Sequence, residues 1–250
     1  MTHKNTQFSV IMPVFNGEKT VETALDSIVS QTLQPMEVII VNDGSTDKTY
    51  DVLKKWQENY NYIRVVDLNR NSGIVNALNI GASKVNADWA VRLDADDEWK
   101  NNHLMVLNDE IKSKEDLVLV GTCNFTDKDA GREHGTLTDA KIRKMMIWDN
   151  PFIHSSVAFS VEKFNNVGGY KVEKFEDFGL WLRLIKVGKV QISKKSTVVH
   201  NKVEGSLSDI DNYESLSYRI SYQLQAIESR FIKTLFLGLF RCLLKLLSKI

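Results

Sequence analysis

Three aspartates, Asp94, Asp96 and Asp97, crowd into the acidic segment 92–98 (RLDADDE). They follow an apolar run at residues 89–93 (WAVRL) that predicts a buried strand. Carboxylates crowded at a strand end repel one another and are costly to desolvate unless a cation lies between them. Mg²⁺ or Mn²⁺ carrying a diphosphate would satisfy them, because these ions accept a few carboxylates together with phosphate oxygens. A solvated acidic turn that caps the next helix is the competing interpretation, and this segment alone does not decide between the two.

The first half of the chain alternates short apolar runs with amphipathic segments. The predicted strands cover residues 8–12, 38–41, 63–66, 89–93 and 117–120. The predicted helices cover residues 18–31, 46–60, 72–85 and 101–113. Repeated strand–helix–strand units predict an α/β fold with a mostly parallel sheet and right-handed crossovers.

Two further polar segments follow predicted strands. Residues 13–16 (PVFN) come after the first strand, and Asp43 comes after the second. Ligands of such sheets bind outside the carboxyl ends of the strands, which lie along one edge. We therefore expect both segments and the acidic cluster to meet in one crevice.

The second half of the chain is less regular. Residues 127–138 are charged and predict a loop, and residues 151–156 (PFIHSS) precede a short predicted strand at 157–160. The glycines of 168–170 (GGY) predict a turn, and a helix is expected over residues 180–187.

The composition excludes several classes of protein. The 32 basic and 32 acidic residues balance, so no overall field favours nucleic acid. Cys123 and Cys242 lie far apart without metal-ligand spacing, which predicts free thiols in a reducing compartment. The apolar run near the amino terminus is too short for a signal peptide, and no stretch is long enough to span a bilayer. These features predict a cytoplasmic protein.

The motifs together resemble those of the family 2 glycosyltransferases. The matching segments are residues 13–16 (PVFN), 41–45 (VNDGS), 71–73 (NSG), 93–97 (LDADD), 154–156 (HSS), 168–170 (GGY) and 176–181 (EDFGLW), with Ala77, Asn79 and Gly81 in a helix between them. The resemblance covers about residues 7–208 and rests on several motifs in register, since none would suffice alone. It implies the GT-A fold, a Rossmann-like nucleotide-sugar-binding sheet flanked by helices.

The resemblance also implies which residues bind the donor, a UDP-sugar, together with Mn²⁺ or Mg²⁺. Asp43 would accept from the N3–H of uracil, and Phe15 would lie along the base. Asp94 would lie near the ribose of the donor. The metal would be bound by Asp96, the acid of the DXD motif, and by His200. The full set of implied donor-side residues is Pro13, Phe15, Asn16, Glu18, Asp43, Gly73, Asp94 and Asp96.

Purely structural interpretations of the same residues stay open. Asp43 could be an ordinary Asp-Gly turn residue, Phe15 could pack in the core, and a lone histidine such as His200 is more often structural.

The acceptor side is implied by the later motifs. Asp177 is the expected general base, because inversion by direct displacement needs a carboxylate to take the proton of the acceptor hydroxyl. Its alternative role is an N-cap for a helix at Leu180. The expected lining of the acceptor side is His154, Ser155, Glu176 and Trp181, although Trp181 could equally be a core residue.

The resemblance implies an inverting, metal-dependent hexosyltransferase that builds a cell-surface polysaccharide on a lipid-linked glycan, at the inner face of a bacterial membrane. One alternative, a sugar nucleotidyltransferase, would need a Gly-rich basic loop where residues 13–17 (PVFNG) stand. A second alternative is a nucleotide-sugar-binding subunit without activity. The presence of Asp94, Asp96 and Asp177 argues against it.

The carboxyl-terminal part differs from the rest. We expect a glycosyltransferase domain over residues 1–208 and a helical extension over 209–250, of which 231–250 is amphipathic. In this last segment Lys233, Arg241, Lys245 and Lys249 share one helical side opposite a broad apolar face, and no residue is acidic. That pattern is typical of a helix lying on an anionic membrane as a peripheral contact. Packing on the catalytic domain or on a second copy, in a homodimer, is the alternative.

Overall fold

The computed structural model of the protein describes residues 5–123, 136–146, 150–173 and 175–200, with the backbone alone for His200. Its strands are β1 Phe8–Val14, β2 Glu37–Asn42, β3 Ile63–Asp67, β4 Trp89–Arg92, β5 Asp97–Trp99, β6 Leu117–Thr122, β7 Ala158–Ser160, β8 Lys189–Ser193 and β9 Val198–His200. Its helices are α1 Val21–Val29, α2 Thr49–Asn59, α3 Ile74–Ala82, α4 His103–Lys112, α5 Asp139–Met145, α6 Val161–Asn166 and α7 Glu176–Leu184. The expected loop over 127–138 falls mostly, and the extension over 209–250 entirely, outside the described residues.

The main sheet has the strand order β3-β2-β1-β4-β7-β6-β8. β1 pairs in parallel with β2 and β4, β2 with β3, and β6 with β8, whereas β7 is antiparallel to both β4 and β6. One strand therefore runs against the other six, which confirms the predicted mostly parallel α/β sheet. The chain moves outward from β1 to β3 and then returns to the other side of β1, so the switch point lies between β1 and β4.

Helices cover both faces of this sheet, which explains why its strands are continuous apolar runs rather than alternating ones. Val10 and Met12 of β1 pack in one apolar cluster with α1, α2 and α4. Ile11, the residue between them, packs in a second cluster with α3, α6 and α7. All seven residues of β1 are buried, so the strand lies at the centre of the fold.

Helix α3 approaches β1 closely because it carries a glycine at the contact. A Cβ atom on Gly81 would lie only 2.6 Å from the Cγ2 atom of Ile11. This close approach places the start of α3, at Gly73, beside the carboxyl ends of β1 and β2.

The structure differs from the sequence-based expectation in several boundaries. β5 and β9, which were not expected, form a separate antiparallel pair in which Asp97 lies opposite His200. Helix α1 begins at Val21 rather than residue 18, and α7 begins at Glu176, whose N-cap is Phe175. Within the described residues, none of the helices combines the length and apolar character that crossing a bilayer requires.

Candidate active site

A buried arginine neutralises the first aspartate of the acidic cluster. Arg92 ends β4 with a side chain only 3% exposed, and its Nη1 and Nη2 atoms donate to the two carboxylate oxygens of Asp94. Burial opposes the ionisation of Asp94, but the charge and hydrogen bonds of Arg92 outweigh it and hold the pKa of this carboxyl below its ordinary value. The cation beside Asp94 is thus supplied by the chain, a role for Arg92 that the sequence analysis missed.

Ser155 joins two carboxylates of the cluster. Its Oγ atom lies 2.8 Å from Oδ2 of Asp94 and 2.5 Å from Oδ2 of Asp97, and it accepts from the Asp94 amide at 3.2 Å. A hydroxyl carries one proton, so it donates to one of the carboxylates at a time. Ser155 is 1% exposed and was expected on the acceptor side. Its side chain contacts the acidic cluster, and its place on the acceptor side stays a prediction.

The cluster retains the features that suit a divalent cation. Ligand atoms of Asp94, Asp96 and Asp97 lie within 4.8 Å of one another. Burial raises the pKa of Asp96, and the negative charges of Asp94 and Asp97 raise it further. The positive charge of Arg92 therefore does not neutralise the negative charge of the whole cluster. Carboxylate oxygens are the donors that Mg²⁺ and Mn²⁺ prefer, and the residues present therefore fit such an ion. The backbone of His200 pairs with Asp97 in the strand ladder, but the side chain of His200 lies outside the described residues.

The buried turn after β2 is built around Asp43, which is 3% exposed. Its carboxylate accepts from the Ser72 amide at 2.8 Å, the Ser72 hydroxyl at 2.6 Å and the Gly73 amide at 2.9 Å. Gly44 has φ +68°, and a Cβ atom there would lie 2.3 Å from the carbonyl carbon of Arg70. The NDG and NSG motifs thus form one structure, in which Asp43 holds the start of α3. Its contact with uracil stays a prediction.

The loop after β1 presents one aromatic ring to solvent. Phe15 is 47% exposed, which excludes the alternative of core packing. Asn16 accepts from the Thr46 amide at 2.8 Å, and Glu18 accepts from the Lys48 amide at 3.0 Å. Asn16 and Glu18 therefore fasten this loop to the loop after β2. Pro13 is buried within β1, opposite Val41 of β2, so it shapes the strand end.

Two carboxyls on the first turn of α7, those of Glu176 and Asp177, lie close enough to the cluster to interact electrostatically with Asp94. Asp177 accepts from the Phe178 amide at 2.6 Å and from Nδ2 of Asn150 at 2.9 Å. Burial raises the pKa of Asp177, and burial together with the charge of Asp177 raises the pKa of Glu176. The N-cap interpretation of Asp177 is wrong, because Asp177 is the second residue of α7.

His154 connects this carboxyl pair to the centre of the site. Its Nε2 atom lies 2.9 Å from the Tyr170 hydroxyl, and its Nδ1 atom lies 4.0 Å from Oε1 of Glu176. Burial, and then the positive charge of Arg92, hold the pKa of His154 well below its ordinary value, so the ring is neutral near pH 7. Trp181 is 0% exposed and packs edge-on against His154 with ring centroids 5.7 Å apart. Trp181 is therefore a core residue rather than an exposed wall for the acceptor.

A contact between distant motifs holds the two halves of the site together. Asn79 of α3 donates to the Tyr170 carbonyl at 2.9 Å and accepts from the Tyr170 amide at 3.0 Å. The Gly169 carbonyl accepts from Nη2 of Arg183 on α7 at 2.8 Å. The GGY turn is thus fixed between α3 and α7. In the sequence, Asn79 and this turn belong to separate motifs.

Comparison with known proteins identifies the family. The model of glycosyl transferase family 2 matches residues 9–170. The chain belongs to glycosyl transferase family 2. It is 30% identical over 196 residues to UDP-Gal:alpha-D-GlcNAc-diphosphoundecaprenol beta-1,3-galactosyltransferase of Escherichia coli, covering 75% of this chain and 71% of that protein. It is 28% identical over 187 residues to the amylovoran biosynthesis glycosyltransferase AmsE of Erwinia amylovora, covering 72% and 70%.

Solved glycosyltransferase structures share the fold. TarS 1–349 of S. aureus, in complex with UDP-GlcNAc, superposes with a TM-score of 0.71 at 19% identity, covering 90% of this chain and 68% of that chain. The mannosyltransferase PcManGT of Pyrobaculum calidifontis, in complex with GDP-Man and Mn²⁺, superposes with a TM-score of 0.66 at 19% identity, covering 90% and 64%. The predicted GT-A fold is thereby confirmed.

We predict that Arg92→Leu destabilises the protein at pH 7, because it leaves the partly buried carboxylate of Asp94 without its cation. The expected loss is roughly 3 kcal/mol, the lower end of the range for breaking a buried ion pair, since about a third of the Asp94 side chain stays exposed. Urea unfolding measures this loss.

The loss should depend on pH in a defined direction. The folded pKa of Asp94 is depressed by Arg92, so this stabilisation is present above the ordinary pKa of aspartate, about 3.9, and disappears as the pH falls through the folded pKa. The difference between wild type and Arg92→Leu should therefore shrink in acid. A difference that stays constant from pH 7 down to acid conditions would show that lost packing, not charge, causes the destabilisation.

Proposed function

We propose that the protein is an inverting, divalent-metal-dependent glycosyltransferase that moves a hexose from a UDP-sugar to a hydroxyl of a glycan during surface-polysaccharide biosynthesis. The observation that carries this proposal is that two sets of carboxyl groups lie near each other, since Asp94 of one set interacts electrostatically with Glu176 and Asp177 of the other. The Asp94, Asp96 and Asp97 cluster fits a cation, and the pair on α7 has raised pKa values suited to proton transfer.

The donor assignment is supported by the residues and by relatives. Asp43 directly follows β2, and its amide donates to the Val14 carbonyl at 2.8 Å. Val14 precedes Phe15, whose exposed ring could stack on a planar base. The E. coli relative is named for UDP-Gal, and the TarS structure contains UDP-GlcNAc. A nucleotidyltransferase is disfavoured because the loop after β1 is not the Gly-rich basic loop that such chemistry needs. It carries one glycine, Gly17, and one basic residue, Lys19, which follows the acidic Glu18.

In the proposed transfer step, Asp177 is the general base. The acceptor hydroxyl gives its proton to the Asp177 carboxylate while its oxygen forms a bond to the anomeric carbon. The bond from that carbon to the phosphate oxygen breaks on the opposite face, and UDP leaves with the electron pair, so the configuration inverts. A divalent cation bound at the cluster would supply Lewis-acid stabilisation of the diphosphate charge. Arg92 keeps Asp94 ionised and fixed, and Ser155 fixes Asp94 relative to Asp97.

The acceptor is proposed to be a lipid-linked glycan at the inner face of the cytoplasmic membrane. The name of the E. coli relative specifies an acceptor carried on diphosphoundecaprenol. The proposed organisation, a catalytic domain over residues 1–208 and an extension over 209–250, places a cationic amphipathic segment at 231–250. Attraction of its basic residues to anionic lipid would hold the enzyme beside such an acceptor.

The metal role predicts that Asp96→Asn lowers UDP release from a UDP-sugar strongly, and that EDTA has the same effect on the wild-type protein. UDP binding measured by calorimetry should weaken in Asp96→Asn when Mn²⁺ is present and be unchanged in EDTA. Asp88→Asn is the matched control, because Asp88 is an exposed carboxylate beside the opposite end of β4. Full activity of the wild-type protein in EDTA would exclude the metal role.

The base role predicts that Asp177→Asn lowers turnover by about 10²-fold or more, the usual contribution of a general base, while UDP binding stays near normal. Steady-state kinetics and calorimetry measure the two effects. Asp51→Asn, at an exposed position in the first turn of α2, controls for loss of a helix-start charge. Turnover of Asp177→Asn at the wild-type rate would assign the proton transfer to another residue.

The tail proposal predicts that deletion of residues 231–250 releases the protein from anionic liposomes in a sedimentation assay and leaves activity on a soluble acceptor analogue largely intact. A full-length variant with Lys233, Arg241, Lys245 and Lys249 changed to Gln tests the charge separately, because it keeps the apolar face. If the truncated protein unfolds, or if the protein with residues 231–250 does not bind liposomes, the segment packs on the catalytic domain or forms a dimer contact.

A further inference from the structure

Asn150 is a polar residue beside the acceptor-side carboxyls that no motif marks. Its Nδ2 atom donates to Oδ2 of Asp177 at 2.9 Å, across 27 positions of the sequence. The other carboxylate oxygen, Oδ1, accepts from the Phe178 amide at 2.6 Å. Each oxygen of Asp177 therefore receives a donor, and each keeps further acceptor capacity, because a carboxylate offers about four lone-pair sites.

The amide of Asn150 is held in one orientation by its own turn. Its Oδ1 atom accepts from the Phe152 amide at 3.2 Å, and Pro151 between them restricts the backbone of the turn. Since a backbone N–H can only donate, the oxygen of Asn150 must face Phe152, and the amino group must face Asp177. The donor that points at Asp177 is thus fixed before any substrate arrives.

The segment 150–156 contacts both Asp177 of α7 and the acidic cluster that follows β4. At one end, Asn150 binds Asp177 of α7. At the other end, Ser155 binds Asp94 and Asp97 of the donor-side cluster. This short segment therefore sets the position of Asp177 relative to the cluster that fits the metal.

Several charged or titratable groups act on Asp177 from the elements around it. Glu176 adjoins it on α7, and Arg92 and Asp94 act on it from the end of β4. The Tyr170 hydroxyl interacts with it from the GGY turn, and the neutral ring of His154 lies between that hydroxyl and Glu176. Burial and Asp94 favour the protonated form of Asp177, whereas Arg92, the Phe178 amide and Asn150 favour the carboxylate.

We propose that Asn150 is a positioning residue for the general base, whose amide holds the Asp177 carboxylate ionised and aimed at the acceptor hydroxyl. The inference rests on the proposed function, because it takes Asp177 as the group that receives the proton. Asn150 itself touches Asp177 and not the reacting atoms.

Two variants separate the parts of this role. Asn150→Asp keeps an oxygen that can accept from the Phe152 amide, but it replaces the amino group that donates to Asp177 with a carboxylate oxygen. Asn150→Ala removes both contacts. Asn166→Asp makes the same charge change at an exposed position at the end of α6 and is the control. Thermal melting of each protein shows that it is folded before activity is compared.

The first measurement is the pH dependence of UDP release from the UDP-sugar that the wild-type protein turns over fastest among UDP-Gal, UDP-GlcNAc and UDP-Glc. Activity should rise with pH as Asp177 ionises. A hydrogen bond to a charged group is worth enough to move a pKa by about one unit. We expect the acidic limb to move up by about one pH unit in Asn150→Ala and further in Asn150→Asp. The variant would then be about 10-fold slower below the limb and recover toward wild type above it.

A loss of activity that is the same at every pH would overturn the inference, since a purely structural role lowers activity without moving the limb. The control Asn166→Asp should keep the wild-type limb, and an equal shift in that variant would also overturn the inference.

The second measurement does not depend on turnover. Carbon-13 NMR of aspartate-labelled protein, with the Asp177 signal assigned by its absence in Asp177→Asn, gives the titration of this carboxyl directly. We expect Asp177 to titrate about one pH unit higher in Asn150→Ala than in wild type. Identical titrations would overturn the inference. If the wild-type protein releases no UDP from any of these sugars, the proposed function fails, and the titration still decides whether Asn150 controls Asp177.

Discussion

The cost of burying negative charge governs the arrangement of this site. Catalysis on a diphosphate donor needs carboxylates at the strand ends, but each carboxylate taken from water must be compensated. The protein compensates them unequally. Asp94 receives a buried guanidinium, Asp43 receives three hydrogen-bond donors from the start of α3, and Asp177 receives one amide and one backbone N–H. The pKa values of Asp96, Glu176 and Asp177 stay raised, so the contacts of these three carboxyls do not offset their burial.

The carboxyls differ in role according to how many hydrogen-bond donors or cations each one contacts. Asp43 is a structural acceptor in addition to its proposed contact with the base, because its three hydrogen bonds fix both the turn after β2 and the beginning of α3. Binding of a cation would lower the free energy of the Asp96 carboxylate, because burial and the neighbouring negative charges disfavour its ionised form. The hydrogen bonds of Asn79 with the backbone of Tyr170 join α3 to the GGY turn, which Arg183 of α7 also contacts.

The sequence predicted the parts of this arrangement that depend on local pattern. The strands of the parallel sheet, the meeting of the strand-end motifs and the closeness of Asp94, Asp96 and Asp97 follow from apolar runs and from the shared edge of parallel strands. The compensating partners could not be predicted. Arg92 reads only as an interruption in an apolar run, and the contacts of Asn150 with Asp177 and of Asn79 with Tyr170 join positions 27 and 91 residues apart, where no periodicity reaches. β5 and β9 were missed because three residues are too few to show a period.

The strand order has a consequence for synthesis on the ribosome. β1 to β4 are consecutive in the chain and pair with one another, so they can form the first part of the sheet as soon as they emerge. The next strand of this sheet to emerge is β6, but its neighbours are β7 and β8, which come later. Until residues 158–160 are made, both β4 and β6 present unpaired backbone groups, the feature that invites pairing with other chains. The nascent chain is therefore most exposed to aggregation between the translation of β6 and that of β7, and a chaperone that binds in this interval would protect the growing edge of the sheet.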